Sequence, residues 1–149
     1  MTPIIRKTAS SIVLVAGALV LSACSSMMSM MPMASSDKVT LTGSNEVPAV
    51  TTPASGSGAI SIAADGSVTG SITVTGMNPT MGHIHQAAAG VNGPVIVPLV
   101  QSGNVFTPAA GAKLTEVQMA AYRAGNLYVN VHSAAHPGGE VRAQLKPAG

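Results

Sequence analysis

Ser57-Gly58-Ala59-Ile60-Ser61-Ile62-Ala63 and Ser67-Val68-Thr69-Gly70-Ser71-Ile72-Thr73-Val74-Thr75 flank Ala64-Asp65-Gly66, and the reading of these residues decides the fold. Both arms alternate small or polar residues with apolar ones, the period of a strand that buries one face. Asp65-Gly66 supplies the positive φ angles of a tight hairpin turn. A two-residue turn pairs Ile62 with Thr69 and splits the apolar residues between faces. A three-residue loop, Ala64-Asp65-Gly66, pairs Ile62 with Val68 and keeps Ile60, Ile62, Val68, Ile72 and Val74 together. The second register is therefore the expected one.

The same signals extend in both directions. Upstream, Lys38-Val39-Thr40-Leu41-Thr42 alternates as an initial strand, and Gly43 to Thr52 is a loop. Glu46 in that loop is either solvated or reaches a neighbouring strand. Downstream, Met77-Asn78-Pro79 leads into a strand carrying Met81-Gly82-His83-Ile84-His85, and Gly90-Val91-Asn92-Gly93 is a turn. Pro94 to Val100 is a further strand whose prolines cannot donate to a ladder, so they mark an edge or the strand's ends. Asn104-Val105-Phe106 is a short extended piece. One helix is signposted over 115–124: Leu114 and Met119 form a hydrophobic staple, Thr115 and Gln118 a capping box, and Gly125 ends it. Leu127 to His132 is a strand. Pro137-Gly138-Gly139 then turns into Glu140 to Leu145, with Val141, Ala143 and Leu145 on the core side and Glu140, Arg142 and Gln144 opposite. Many short strands with one helix predict an all-β chain, an antiparallel Greek-key sandwich or barrel.

The N-terminus reads as a targeting segment. Arg6 and Lys7 precede an apolar run, Ile12 to Leu21, too short to span a bilayer, and Leu21-Ser22-Ala23-Cys24 has the form of a cleavage site. These four residues resemble the lipobox of bacterial lipoproteins. That resemblance makes residues 1–23 a signal peptide and Cys24 the lipidated first residue of the mature chain. Two or more acyl chains give stable membrane attachment. Ser25 after the cysteine favours the outer membrane by the same resemblance, which places the protein in the cell envelope, facing the periplasm or the exterior. Residues 24–36 are a Met- and Ser-rich tether, with five methionines in the seven positions from Met27 to Met33. Thioether sulfur suits Cu(I), although such a run is also plain low-complexity linker. One β domain then occupies 37–149.

Composition excludes several function classes. The formal charge of +2 is carried by Arg6 and Lys7, so basic and acidic residues balance in the mature chain, and no basic cluster or stacking aromatic set points to nucleic acid. The single cysteine permits no internal disulfide. No Ser-His-Asp order, phosphate loop or nucleophilic cysteine nominates a hydrolase. The chemistry lies in the four histidines. His83 and His85 share one strand face; Tyr128, Asn130 and His132 share another, and His136 follows on a loop. Strand-face histidines are often merely solvated. If these two strands are neighbours, however, three imidazoles converge with His136 as a fourth, and a soft or borderline transition metal such as copper is the natural guest.

Three stretches together resemble the chordin-type (CHRD) domain. They are His83-Ile84-His85 with Ala89-Gly90-x-Asn92-Gly93-Pro94-Val95-x-Val97-x-Leu99, then Gly125 to Ser133, then Pro137-Gly138-Gly139-Glu140-Val141-Arg142-x-Gln144-Leu145. The resemblance spans about 38–146. It implies an all-β domain of secreted and surface proteins, found in animals in antagonists of growth-factor signalling, with no settled activity in bacterial members. A fainter resemblance is to copper-zinc superoxide dismutases: His-x-His, later Val-x-Val-His, then a Gly-Gly turn and an arginine. It implies copper on His83, His85 and His132, with Arg142 drawing in a small anion. Glu140 and Asn130, beside them on the same two strands, are candidate supporting groups. Arg142 can equally pair with Glu140 or Glu46. A bridging histidine, zinc loop and cysteine pair are missing, so dismutation is not expected. The expected function is a non-enzymatic, membrane-anchored binding module. The alternatives are a structural or adhesion module for a protein or glycan partner, and a copper-dependent redox enzyme.

Overall fold

The structure, a computed structural model, describes residues 35–147, with side chains from 38 onward; the expected signal peptide over 1–23, Cys24 and the methionine run lie outside the described residues. Eight antiparallel strands follow in the order β1 (Ser35–Thr42), β2 (Ser55–Ile62), β3 (Val68–Thr75), β4 (Pro79–Gln86), β5 (Val95–Ser102), β6 (Val105–Pro108), β7 (Leu127–Ser133) and β8 (Val141–Leu145). The helix α1 (Glu116–Arg123) lies between β6 and β7. They close into a barrel in the spatial order β1-β2-β3-β6-β5-β4-β7-β8. The crossings from β3 to β4 and from β6 to β7 make the Greek key. Two seams are thin. Only Thr42 pairs with Arg142 between β1 and β8, and only Ile72 and Thr73 pair with β6. The sandwich-or-barrel expectation thus resolves to a closed barrel with two sparsely paired seams.

The opening hairpin adopts the three-residue loop. Ile62 pairs with Val68, and Ala63 N–H donates to Ser67 O at 2.9 Å. Gly66 takes φ +88°, a conformation costly for any residue with a Cβ, while Asp65 accepts from both the backbone N–H and the hydroxyl of Ser67. Ile60, Ile62, Val68, Ile72 and Val74 are all buried. The helix also starts as expected: Thr115 accepts from Gln118 N–H while the Gln118 side chain accepts from Thr115 N–H. Leu114 and Met119 are buried beneath it.

One strand departs from expectation. Pro94 does precede β5, but Pro98 lies in mid-strand, and a closed barrel has no edge for it to occupy. Its missing N–H marks where β5 leaves β4: the pairs are His83 with Pro98, Ile84 with Val97 and, past a bulge, His85 with Val95. Leu99 to Ser102 pair only with β6.

The barrel interior is apolar. Leu41, Ile60, Ile72, Val74, Ile84, Phe106, Leu127, Val129, Val131, Val141 and Leu145 have no exposed surface, and burying each such side chain contributes about 1.5–3 kcal/mol. Phe106, the sole phenylalanine, sits against Gly82, where a Cβ would come within 2.8 Å of the ring. Every residue of β7 is buried, including those whose side chains point out of the barrel. The outer face of β7, with His85 of β4 and Arg142 of β8, is therefore a second, polar interior, roofed by loops.

Candidate metal centre

β4 and β7 are neighbours, and their register sets His83 opposite Asn130, His85 opposite Tyr128 and Met81 opposite His132. Ile84, Val129 and Val131 take the inner face, so alternation turns His83, His85 and His132 outward together. One nitrogen from each of these three rings lies within 4.8 Å of the others. Two nitrogens bound to one ion at 2.0–2.1 Å are at most about 4.2 Å apart, so the trio closes on an ion with side-chain shifts below about 1 Å. It can hold a metal ion.

The tautomers are set by the backbone. His132 Nδ1 lies 2.9 Å from Pro137 O, and His85 Nδ1 lies 2.9 Å from Gly93 O. A carbonyl only accepts, so both Nδ1 atoms carry their proton and both Nε2 atoms present a lone pair. Such an imidazole-to-carbonyl bond is the usual support of a metal-ligating histidine. Nε2 of His132 meets Nδ1 of His83 at 3.2 Å. Nε2 of His85 is buried with no hydrogen-bond partner, although Asn130 lies alongside. A buried, unpaired lone pair costs on the order of 1–3 kcal/mol unless something accepts it.

Burial lowers the pKa of all three rings. At His83 the charges of His132 and His85 add to desolvation. At His85 the Gly93 carbonyl and Asn130 oppose it and the Arg142 charge adds to it; at His132 the Pro137 carbonyl opposes it and His85 adds to it. Neutral imidazole, the ligating form, is thus favoured near neutrality.

The supporting groups form a layered stack. His85 lies on the Tyr128 ring with centroids 4.7 Å apart and planes 5° from parallel. The Arg142 guanidinium carbon stands 3.4 Å from the same ring's centroid, a cation–π contact of about 0.5–2 kcal/mol. Arg142 is 1% exposed and donates to Val91 O at 2.9 Å, Asn92 Oδ1 at 3.2 Å and Ala88 O at 3.4 Å. Gln144 donates to Ala87 O and Gly125 O, and Asn92 Nδ2 to Val47 O. Arg142 is thus occupied in clamping the 87–93 loop over β7 and β8, and that loop delivers the Gly93 carbonyl to His85. Gly93 itself must be glycine, because a Cβ would lie 2.0 Å from Gln86 O.

His136 is not in the close group. Its backbone closes the turn after β7, bonding Ser133 and Gly139, and that turn offers His132 the carbonyl of Pro137 rather than a fourth imidazole. Glu140 accepts from Thr52 Oγ1 at 2.6 Å and holds the Gly43–Thr52 loop. Asn130 stands between His85 and Glu46 and favours the charged form of each. Glu46 is buried, not solvated. Burial pushes its pKa up to about 7 against the pull of Arg142, Asn130 and the Val47 backbone. No ion pair joins it to Arg142 among the described residues; only Lys113 and Asp65 form one, on the surface.

The anchoring carbonyls of Gly93 and Pro137 carry no side-chain signature, so side-chain patterns could not reveal them. The one available signal was that each follows a histidine at short range across a Gly- or Pro-rich turn.

No curated protein and no solved structure gives a match to this chain. A family model described as the CHRD domain matches residues 38–145, from within β1 to the last residue of β8. The chain belongs to the CHRD domain family.

Proposed function

We propose that the protein is an envelope-anchored binding module, tethered through lipid on Cys24, that holds a transition metal, copper foremost, on His83, His85 and His132. The observation that carries this reading is the pair of Nδ1–H bonds to Gly93 O and Pro137 O, which leaves Nε2 of both rings unprotonated, that of His132 3.2 Å from His83, in a trio whose nitrogens lie within 4.8 Å of one another. Three neutral imidazoles suit copper or zinc and do not suit magnesium or calcium, which take oxygen. Among the described residues no helix is long and apolar enough to cross a membrane. Metal content of protein taken from the envelope tests the reading: copper near one per chain supports it, and a metal-free protein that also fails to take up Cu(II) rejects it. Superoxide turnover by the copper-loaded form decides whether the module is also a redox enzyme.

A second reading, a glycan- or protein-binding module without metal, is favoured by a groove of about 570 Å³ beside β1 and β8. Lys38, Thr40, Asn45, Glu46, Gln144 and Lys146 line it. Its polar lining suits a hydroxyl-rich ligand better than an apolar one. Retention on a glycan array by protein lacking all three histidines supports that reading.

A further inference from the structure

Met81 is 48% exposed, and it is absent from the apolar side chains that pack on the core. Its direction follows from its neighbours. Gly82 faces inward onto Phe106 and Ile84 is buried in the core, so Met81 shares the outer face with His83 and His85. It is also the residue opposite His132, and opposed side chains on one face of an antiparallel pair have Cβ atoms about 4.5–5.5 Å apart. The register shifts between Pro79 and Met81, and such bulges re-aim side chains beside functional sites. A thioether on a flexible, unbranched stem therefore neighbours two of the three imidazoles.

We infer that Met81 Sδ is the fourth ligand of the site and makes it selective for Cu(I) over Zn(II). The inference rests on the metal-centre reading above. Three imidazoles leave one position of a tetrahedral ion open. A neutral sulfur there favours Cu(I), whereas Zn(II) takes its sulfur from thiolate. Since Met81 supports no core contact, the fold does not require it, and its exposure leaves the ion a path in from solution.

The test uses the full chain in detergent, with Met27, Met28, Met30, Met31 and Met33 changed to Leu so that tether sulfurs cannot contribute. Met81→Leu and His132→Ala are made in that background. Loading with Cu(I) and X-ray absorption should show a sulfur neighbour that vanishes in Met81→Leu. Competition with a chromophoric Cu(I) chelator should show on the order of tenfold weaker binding in Met81→Leu, with Zn(II) affinity unchanged. Nitrogen-only coordination, with Met81→Leu equal to its parent, overturns the inference while copper loss in His132→Ala leaves the histidine site standing. A parallel fall in Zn(II) affinity overturns the selectivity. Failure of the parent to bind copper overturns both.

Discussion

Nδ1 of His83 lies 3.2 Å from Nε2 of His132, whose own Nδ1 donates to Pro137 O. The proton between the two rings therefore belongs to His83, on the nitrogen that faces His132. An ion held through that nitrogen has to move the proton to Nε2 of His83 or expel it. Imidazole nitrogen shifts in apo and Zn(II)-loaded protein should show His83 alone changing tautomer, with His85 and His132 keeping Nδ1–H throughout. A change at His132 instead would mean that the Pro137 bond does not fix it.

Protons compete with a metal for these nitrogens. Because burial lowers all three pKa values from 6.5, the rings stay neutral to lower pH than free imidazole. Metal release on acidification should thus have its midpoint below pH 6.5, read as metal affinity between pH 5 and 8. A midpoint above 6.5 would show that the rings are charged more easily than their burial implies.

Stability of the metal-free protein depends on two opposing groups. The folded histidines have lowered pKa values, so the unfolded chain binds more protons below 6.5 and acid weakens the fold. Glu46 has the opposite sign: its folded pKa is about 7 against 4.5, so the stability it contributes is present at low pH and lost as pH rises through about 7. Glu46→Gln keeps the neutral form at every pH. Relative to the unmodified protein, its denaturation midpoint should improve from pH 5 to about pH 7 and level off above that. A difference independent of pH would show that Glu46 titrates normally.

The barrel interior was legible from sequence because two-residue periodicity and turn chemistry both report on it, as Ile62 opposite Val68 illustrates. The convergence of His83, His85 and His132 followed once β4 and β7 were neighbours, but adjacency of distant strands is a tertiary fact. The roof over β7 was not legible. It depends on Arg142 reaching loop carbonyls and on Gly93 and Pro137 offering theirs, contacts that use backbone atoms common to every residue. Pro98 misled for a related reason: a closed barrel tolerates a broken ladder where a strand changes partner.

Arg142→Met keeps the stem over Tyr128 and removes the donors to Val91, Asn92 and Ala88. The loss should be about 2–4 kcal/mol in denaturant unfolding, since buried carbonyls are left unpaired. Metal affinity should fall as well, because Gly93 no longer holds His85. Unchanged hydrogen exchange in the 87–93 loop would show that Arg142 is not its clamp.

Gly82→Val places a branched side chain where a Cβ already meets Phe106 Cδ1 at 2.8 Å. Overpacking of this kind should cost about 1–3 kcal/mol and shift β4, weakening metal binding with it. A double variant with Phe106→Ala should recover part of the loss, and no recovery would place the strain elsewhere.

Cu(II) titration of the unmodified chain and of His83→Ala, His85→Ala and His132→Ala, followed by electron paramagnetic resonance, tests the metal centre most directly. One tightly held copper coupled to imidazole nitrogen is expected, weakened about tenfold or more in each histidine variant and unaffected by Glu116→Ala. Equal binding in all five proteins would contradict it.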